Sequence, residues 1–367
     1  MDDAVEPVSD SPPTPPPALF KPQADAETLR IVATCVIIAA ASWYLLKELA
    51  PILRPLLLAM FLAYVMVPGQ HFLRRSMAGP WAILFLTGLT VAGMLALTML
   101  IYSSAVEMSQ ELPHLMRRGQ AIGDQLRQIY LDNFPVWLLG APPDAAAVQA
   151  QTTERLRAAI GSVADVATDS LTATVLVGIY LIFLMLEAGR VRGRIESSFP
   201  SERAAQILVV IARINSAMAG FLRVKVKASL VLAVPVVLIL WGFNVRFALM
   251  WGVLTFLLNF IPYLGSVIAC SLPILQSFLQ LDSLAAPIAV GCLLVTVHMT
   301  SAYFVEPALT GRAVGLSPVA LLVALSFWGL CWGLTGMLLA VPLTVMLKII
   351  LENVEFTRPF ARLLSED

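Results

Sequence analysis

Charged side chains are scarce in this chain. They make up 13% of its 367 residues, whereas hydrophobic residues make up 59% and the mean hydropathy is +0.83. Soluble domains carry about 25% charged residues. Together with several long apolar runs, this shortage excludes an ordinary soluble protein and indicates a membrane protein. The formal net charge is zero, so no overall field attracts nucleic acid, and no nucleic-acid partner is expected.

Cysteine and histidine are also few. The chain has four cysteines, Cys35, Cys270, Cys292 and Cys331. They lie in separate apolar runs without a Cys-x-x-Cys pair, which argues against a disulfide framework or a zinc site and predicts small buried packing residues. The three histidines are scattered, and the chain has no His-Glu-x-x-His, Gly-x-Ser-x-Gly or P-loop motif. We therefore expect no enzyme activity, catalytic residue, metal or cofactor, and no ATP-driven transport by this chain alone.

Proline, by contrast, is concentrated at the N-terminus. Residues 1–28 hold seven prolines and several acids, so they cannot bury enough apolar surface to fold, and a disordered tail is predicted. The tail has no basic residue ahead of an apolar core, which argues against a signal peptide. A solvated tail is the favoured interpretation, and a Pro-rich segment that binds a partner is the alternative.

Long apolar runs follow the tail. A membrane span needs about 20 apolar residues. Runs of this kind lie at residues 29–46, 51–67, 81–104, 171–186, 228–243, 248–270 and 285–304. A last block, 318–351, is long enough for one tilted helix or two short ones, and its glycines at 329, 333 and 336 favour a break. The pattern predicts an all-α polytopic protein with about eight spans and with broken or re-entrant helices in its C-terminal half.

Two polar segments divide the chain into regions. Residues 29–104 form the first membrane region, and residues 105–169 form a polar helical insertion outside the membrane. Residues 170–227 comprise a span and a basic segment: its part 188–227 has eight Arg and Lys against two Glu, which predicts a cytoplasmic location by the positive-inside rule. Counting spans then places both termini in the cytoplasm. A C-terminal transport region, 228–351, precedes a cytoplasmic tail, 352–367.

The first candidate site is a break in an apolar run. In NFIPYLGS, Asn259 is followed by Pro262, Tyr263 and Gly265. Proline removes a backbone donor and ends a helix, while glycine permits a tight turn. A helix broken within the membrane exposes carbonyl groups and a half-helix end that can bind an ion or an anionic group. An ordinary loop between two spans explains the same residues equally well.

A second candidate is a polar face in the span that follows. Thr296, Thr300 and Tyr303 recur at helical spacing and share one face, and His298 lies on another side. Because polar groups are unfavourable in a membrane without partners, these side chains either line a polar path or form hydrogen bonds between helices.

The third candidate is an acid at the end of this span. Glu306 is followed by Pro307, which disfavours regular helix, and Arg312 lies six residues beyond the acid. A carboxylate here can bind a cation or exchange a proton, so Glu306 is expected to belong to a substrate or ion pathway. The alternative is a fixed ion pair with Arg312.

These residues resemble the autoinducer-2 exporter family of bacterial permeases. The shared elements are NFIPYLGSVIA, VEPALTGRAVGLSPVALLVAL and GLTGMLLAVPLTVMLKII, in this order. Many members carry Arg-Gly-Gln where this chain has Arg223, Val224 and Lys225. The resemblance implies an inner-membrane transporter without an ATPase, a pentamer, and an elevator-like movement of a transport domain. It associates some members with export of the quorum-sensing signal autoinducer-2 and others with sodium–proton antiport.

Three functions follow from these observations. Export of a small polar solute, coupled to an ion, is the first. A cation–proton antiporter that uses Glu306 is the second, and a membrane scaffold that transports nothing is the third. The expected partners are a solute, a cation or proton, the lipid bilayer and further copies of the chain.

Overall fold

The structure is a computed structural model that describes residues 22–73, 75, 78–133, 145–310 and 315–365. The predicted all-α fold is confirmed, because the described residues form helices and turns apart from one isolated β-bridge between Leu316 and Ser365. The chain divides into two compact units after Leu49. Most of the predicted disordered tail, residues 1–21, lies outside the described residues.

The first unit contains one described helix, α1 (Pro22–Glu48). It begins within the segment 1–28 that was predicted to be disordered and overlaps the last seven residues of that segment. Pro22 is its first residue, and proline is well tolerated there because the first turn of a helix needs no backbone donor. Near its other end the Lys47 ammonium lies 5.1 Å from the centre of the Trp43 ring.

The second unit begins with α2 (Ala50–Leu73), α3 (Gly79–Asn133) and α4 (Ala145–Ser198). The start of α3 packs antiparallel on the end of α4, and their shared core contains Ile83, Val177 and Leu181. At 55 residues, α3 is about 80 Å long, well over twice the ~30 Å of a bilayer core. The described parts of the polar insertion 105–169 therefore continue α3 and α4 as helix, and its residues 134–144 lie outside the described ones.

Helix α5 (Ser201–Gly242) joins the basic segment to the transport region. Its 42 residues include the second half of the basic segment, so residues 201–227 are helix and not loop. The turns of α5 from Ala228 to Leu240 are apolar and repeatedly buried, which places this helix in the centre of the second unit.

A re-entrant hairpin follows α5. The single span expected at 248–270 is wrong: the chain forms two short helices, α6 (Ala248–Leu258) and α7 (Leu264–Gln280). Neither reaches the length of about 20 residues that crosses a bilayer. Residues 259–263 form the turn between them, because Pro262 cannot continue the helix. We call this unit the first hairpin and residues 259–263 its tip.

A second hairpin lies within α10 (Pro318–Glu352). Helix α8 (Ala285–Thr300), a π-helical turn (Ser301–Val305) and α9 (Glu306–Thr310) precede it. Gly333 in α10 has φ +63° and ψ −140°, a backbone conformation open to glycine. The chain reverses at Gly333. The reversal brings the two arms into close contact, so that a Cβ on Gly336 would lie 1.9 Å from the carbonyl oxygen of Trp328. The predicted break is confirmed, and its two arms, 318–332 and 334–352, fold back on each other.

The two hairpins share a core. Ile261 at the tip of the first hairpin packs with Leu325 and Ala340 of the second. A larger cluster joins Phe260 to Phe61 of α2 and Met218 of α5. Seven described helices are long and apolar enough to cross a membrane, but α10 is one of these and is folded in two. Two of the apolar runs predicted as spans in the C-terminal half, 248–270 and 318–351, are thus parts of hairpins. A 3₁₀ turn (Glu355–Thr357) and α11 (Arg358–Leu364) complete the described chain.

Candidate functional site

The tip of the first hairpin is a tight, strained turn. Tyr263 has φ +62° and ψ −64°, and the Leu264 amide donates a hydrogen bond of 2.7 Å to the Pro262 carbonyl oxygen. These values define a γ-turn of the strained kind. Gly265 permits the helices to meet, because a Cβ there would lie 1.7 Å from the Leu258 carbonyl oxygen. Non-helical backbone was predicted here, and this prediction is confirmed.

Asn259 connects this tip to α5. It caps the C-terminal end of α6, and 4% of its surface is exposed. Its side-chain amide donates a hydrogen bond of 3.0 Å to the Ser229 hydroxyl, and its carbonyl oxygen accepts one of 3.0 Å from the Lys225 ammonium. The first part of the tip, Asn259 to Ile261, is thus buried and held by polar contacts inside the protein, whereas 59% of Tyr263 is exposed.

Lys225 also binds Glu306. Its Nζ lies 2.7 Å from Glu306 Oε1, and only 14% of the lysine side chain and 32% of the glutamate side chain are exposed. We call Lys225, Ser229, Asn259 and Glu306 the polar cluster. It joins α5, the tip of the first hairpin and the start of α9, which are remote from one another in the sequence.

Glu306 reaches the polar cluster through the π-helical turn. The Glu306 amide donates its hydrogen bond to the Ser301 carbonyl, five residues back, which widens the helix. Pro307 accounts for this widening: it has no backbone donor for Tyr303, and its ring would clash with the carbonyl of that residue. The prediction that Pro307 would disturb regular helix is confirmed.

Buried polar atoms without hydrogen-bond partners lie on the same helical segments as residues of the polar cluster. Both ring nitrogens of His298 and the hydroxyls of Ser301 and Thr255 find no partner among the described residues, although each of these residues is at least 95% buried. His298, in the last turn of α8, and Ser301, the first residue of the π-helical turn, are three residues apart and share a face of this continuous helix, and Thr255 lies one turn before Asn259. Because unpaired buried polar groups are unfavourable, these atoms are available to a polar ligand.

The polar face predicted on the same span does not join this site. Thr296, Thr300 and Tyr303 are exposed on the other side of α8 and the π-helical turn, and 71% of Tyr303 is exposed. The Thr296 hydroxyl donates to the Cys292 carbonyl oxygen at 2.7 Å, so its hydrogen bond is local. The structure therefore brings His298 to the buried side of the span and leaves these three residues outside the polar cluster.

The remaining expectations concern Arg312, Lys225 and the cysteines. Arg312, the alternative ion-pair partner of Glu306, lies outside the described residues, and among the described residues the Glu306 carboxylate pairs with Lys225. Sequence reasoning counted Lys225 among the cytoplasmic charges and missed its role. The available signal was the spacing of Lys225 and Ser229, which places both on one face of a helix. Of the four cysteines expected to be buried, Cys331 is buried, whereas Cys35 and Cys292 are exposed.

A second polar region lies at the base of the first hairpin. Arg246 pairs there with Glu111 of α3, and Arg118 of α3 pairs with Asp282 beyond α7. A cavity of about 360 Å³ borders this contact. Its lining includes Glu111, His114, Arg246, Gln276 and Gln280. The part of α3 that lies in the polar insertion, which we call the extension of α3, thus contacts the first hairpin through charged side chains that aqueous solvent can reach.

Comparison with known proteins gives these sites a context. The sequence pattern of the AI-2E family transporters matches residues 32–356, which is most of the chain. The chain belongs to the AI-2E transporter family. The match includes every helix from α2 to α10, and hence both hairpins and the polar cluster.

Two named relatives of this AI-2E family member cover most of the chain, and a third covers about half of it. A putative transport protein of Haemophilus influenzae is 31% identical over 92% of this chain and 96% of its own. The AI-2 transport protein TqsA of Escherichia coli is 29% identical over 86% of this chain and 90% of its own. A sodium-lithium/proton antiporter of Halobacillus andaensis is 28% identical over 46% of this chain and 48% of its own. Family membership thus makes the chain a membrane transporter.

Proposed function

We propose that this protein is a secondary transporter of the bacterial inner membrane that exports a small polar solute, with autoinducer-2 the first compound to test. The observation that carries the proposal is the polar cluster at the tip of a re-entrant hairpin, with unpartnered buried polar atoms on the same helical segments. Irregular backbone and charged residues at membrane depth persist only where they are buried in protein or line a cavity, and ionisable residues there commonly mark a substrate or ion path. The name of the Escherichia coli relative supports autoinducer-2 as the solute.

The solute is proposed to bind between the first hairpin and α8. His298 and Ser301 offer unpaired hydrogen-bonding atoms on the helix formed by α8 and the π-helical turn, and Thr255 offers a hydroxyl on α6. Asn259 holds the tip against α5, so that these groups keep their positions. A small polar molecule would supply the hydrogen bonds that the described chain leaves unmade.

The movement is proposed to be elevator-like. The two hairpins share a core through Ile261, Leu325 and Ala340, so they would move together. Helices α2, α3 and α4 would form the stationary part, in an oligomer of the kind that the family resemblance implies. Both termini and the basic segment 188–227, up to the turn of α5 that carries Lys225, are proposed to face the cytoplasm. Glu306 is the residue we assign to ion coupling, because it can exchange a proton.

A cation–proton antiporter is the second candidate. Glu306 at a break in a membrane helix favours it, as does the name of the Halobacillus andaensis relative. In proteoliposomes, an antiporter would convert a sodium or lithium gradient into a pH change that an enclosed dye reports. A solute exporter would give no such pH change, and a scaffold would give neither the pH change nor solute uptake.

Inverted membrane vesicles test the proposal directly, since export becomes uptake. We expect vesicles that contain the protein to take up autoinducer-2 and vesicles without it to take up at least tenfold less. His298→Leu should abolish most of this uptake, whereas Thr296→Val, on the exposed side of the same helix, should retain it. Equal uptake with and without the protein would refute autoinducer-2 as the solute, and full activity of a well-folded His298→Leu variant would refute the site.

A further inference from the structure

Lys225 is bound to two different oxygen atoms at the broken end of α6. Its ammonium donates to the Asn259 carbonyl oxygen at 3.0 Å and to Glu306 Oε1 at 2.7 Å. An ion pair alone would need only the carboxylate. The contact with the carbonyl at the C-terminal end of a half-helix indicates a second role for the lysine.

The oxygen atoms that hold this ammonium are those that suit an alkali cation. The C-terminal end of a helix carries a partial negative charge, and unwound carbonyls at such ends bind Na⁺ in membrane transporters. A carboxylate adds a full negative charge, as hard cations prefer. The Asn259 carbonyl and the Glu306 carboxylate meet both conditions, yet the ammonium of Lys225 lies between them.

The lysine side chain has little freedom to leave. Only 14% of it is exposed, and its helix is anchored beside it by the buried residues Leu222 and Ser229. Ser229 also receives the hydrogen bond from the Asn259 side chain, which fixes the tip against the same face of α5. An alkali cation would have to displace a charge that is covalently part of the protein.

We propose that Lys225 is a tethered cation that replaces an alkali cation at the tip of the first hairpin, so that this protein binds neither Na⁺ nor Li⁺ there. The inference rests on the proposed function, because it concerns the ion coupling of that transport site. It excludes Na⁺ and Li⁺ as ions that couple to transport at Glu306. It also predicts that removal of the lysine ammonium creates an alkali-cation site.

Thermal unfolding of the purified full-length protein in detergent tests this inference without a transport assay. Each protein is measured in NaCl, LiCl and choline chloride at equal ionic strength. The wild type should unfold at the same temperature in all three salts. Lys225→Gln and Lys225→Ala should unfold at a lower temperature in choline chloride and recover at least about 2 °C in NaCl, since a ligand stabilises the state that binds it.

Three variants make the result specific. Lys225→Arg keeps a cation and should remain insensitive to Na⁺, and Lys227→Gln, two residues along and exposed, should behave as the wild type. The double variant Lys225→Gln/Glu306→Gln should lose the recovery in NaCl. Every variant is expressed and purified once in NaCl and once in choline chloride. A Lys225 variant that folds in NaCl but not in choline chloride counts as showing the expected recovery.

Two results would overturn the inference. One is stabilisation of the wild type by Na⁺ or Li⁺ relative to choline. The other is the absence of a Na⁺-specific gain in both Lys225→Gln and Lys225→Ala, including failure of both to fold in either salt. Neither result bears on autoinducer-2 uptake, so failure of this inference remains separate from failure of the proposed function.

Discussion

Glu306 and Lys225 hold each other between the π-helical turn and α5. Each side chain is mostly removed from solvent, so the loss of either one leaves the other charge without its partner. Membrane proteins keep such pairs where they serve transport. The two residues are 81 positions apart, and only the fold brings them together.

A double-mutant cycle tests this pair. In choline chloride, Glu306→Gln and Lys225→Gln should each lower the free energy of unfolding by about 1–3 kcal/mol, because each leaves a half-buried charge unpaired. The double variant should be more stable than the sum of the two losses predicts. Unfolding followed by tryptophan fluorescence measures the effect, and strictly additive losses would mean that the pair contributes nothing to stability.

The two hairpins depend on close approach of their own backbones. A Cβ on Gly265 would lie 1.7 Å from the Leu258 carbonyl oxygen, and one on Gly336 would lie 1.9 Å from that of Trp328. Backbone atoms cannot move aside as a flexible side chain can, so any larger residue would force the hairpin arms apart. Both glycines are needed for steric reasons, and neither has a positive φ.

Alanine substitutions should separate these glycines from ordinary helical ones. Gly265→Ala and Gly336→Ala should each lower the free energy of unfolding by about 1–3 kcal/mol, the usual effect of overpacking. Gly220→Ala in α5 is the control, because open space surrounds its Cβ position and alanine favours helix. Melting temperature and elution on size exclusion measure the outcome, and wild-type stability of Gly265→Ala would contradict this account of the tip.

At the scale of the whole molecule, orientation follows from charge. The basic residues of 188–227 lie on the end of α4 and the start of α5, where the two helices follow each other closely. We expect a single cysteine at position 202, in a cysteine-free background, to be labelled by an impermeant maleimide only after the cells are opened. A cysteine at position 107, on the extension of α3, should be labelled in intact cells. The reverse pattern would invert the proposed topology.

Movement of the hairpins against α3 is a second prediction at this scale. If transport is elevator-like, the contact between Arg118 and Asp282 must break during the cycle. Cysteines at these two positions, joined by a cleavable bifunctional maleimide, should stop autoinducer-2 uptake, and cleavage of the linker should restore it. The matched control joins positions 187 and 194, whose side chains form an ion pair within α4. Undiminished uptake by the cross-linked 118/282 protein would argue against this movement.

Several features were predictable from the sequence because they depend on local chemistry. The membrane class and the all-α fold follow from apolar runs, whose transfer free energies add along the chain. The breaks near Pro262, Gly333 and Pro307 follow from the missing backbone donor of proline and the conformational freedom of glycine. Residues close in sequence were sufficient for each of these.

The tertiary structure decided what those breaks become. Whether a broken run is a loop between spans or a hairpin depends on packing with distant segments, as Ile261 with Leu325 and Ala340 illustrates. The same holds for the partner of Glu306, because helical spacing cannot reveal that Lys225 lies across from it. Spacing also gave Thr296 and His298 different faces of one helix, but only the neighbouring helices determined that the histidine face is buried. The sequence by itself therefore determined candidate positions at which the backbone can depart from regular helix, since a proline or glycine disturbs the helix locally, and the packing of α5, α8 and the two hairpins decided which polar side chains meet there.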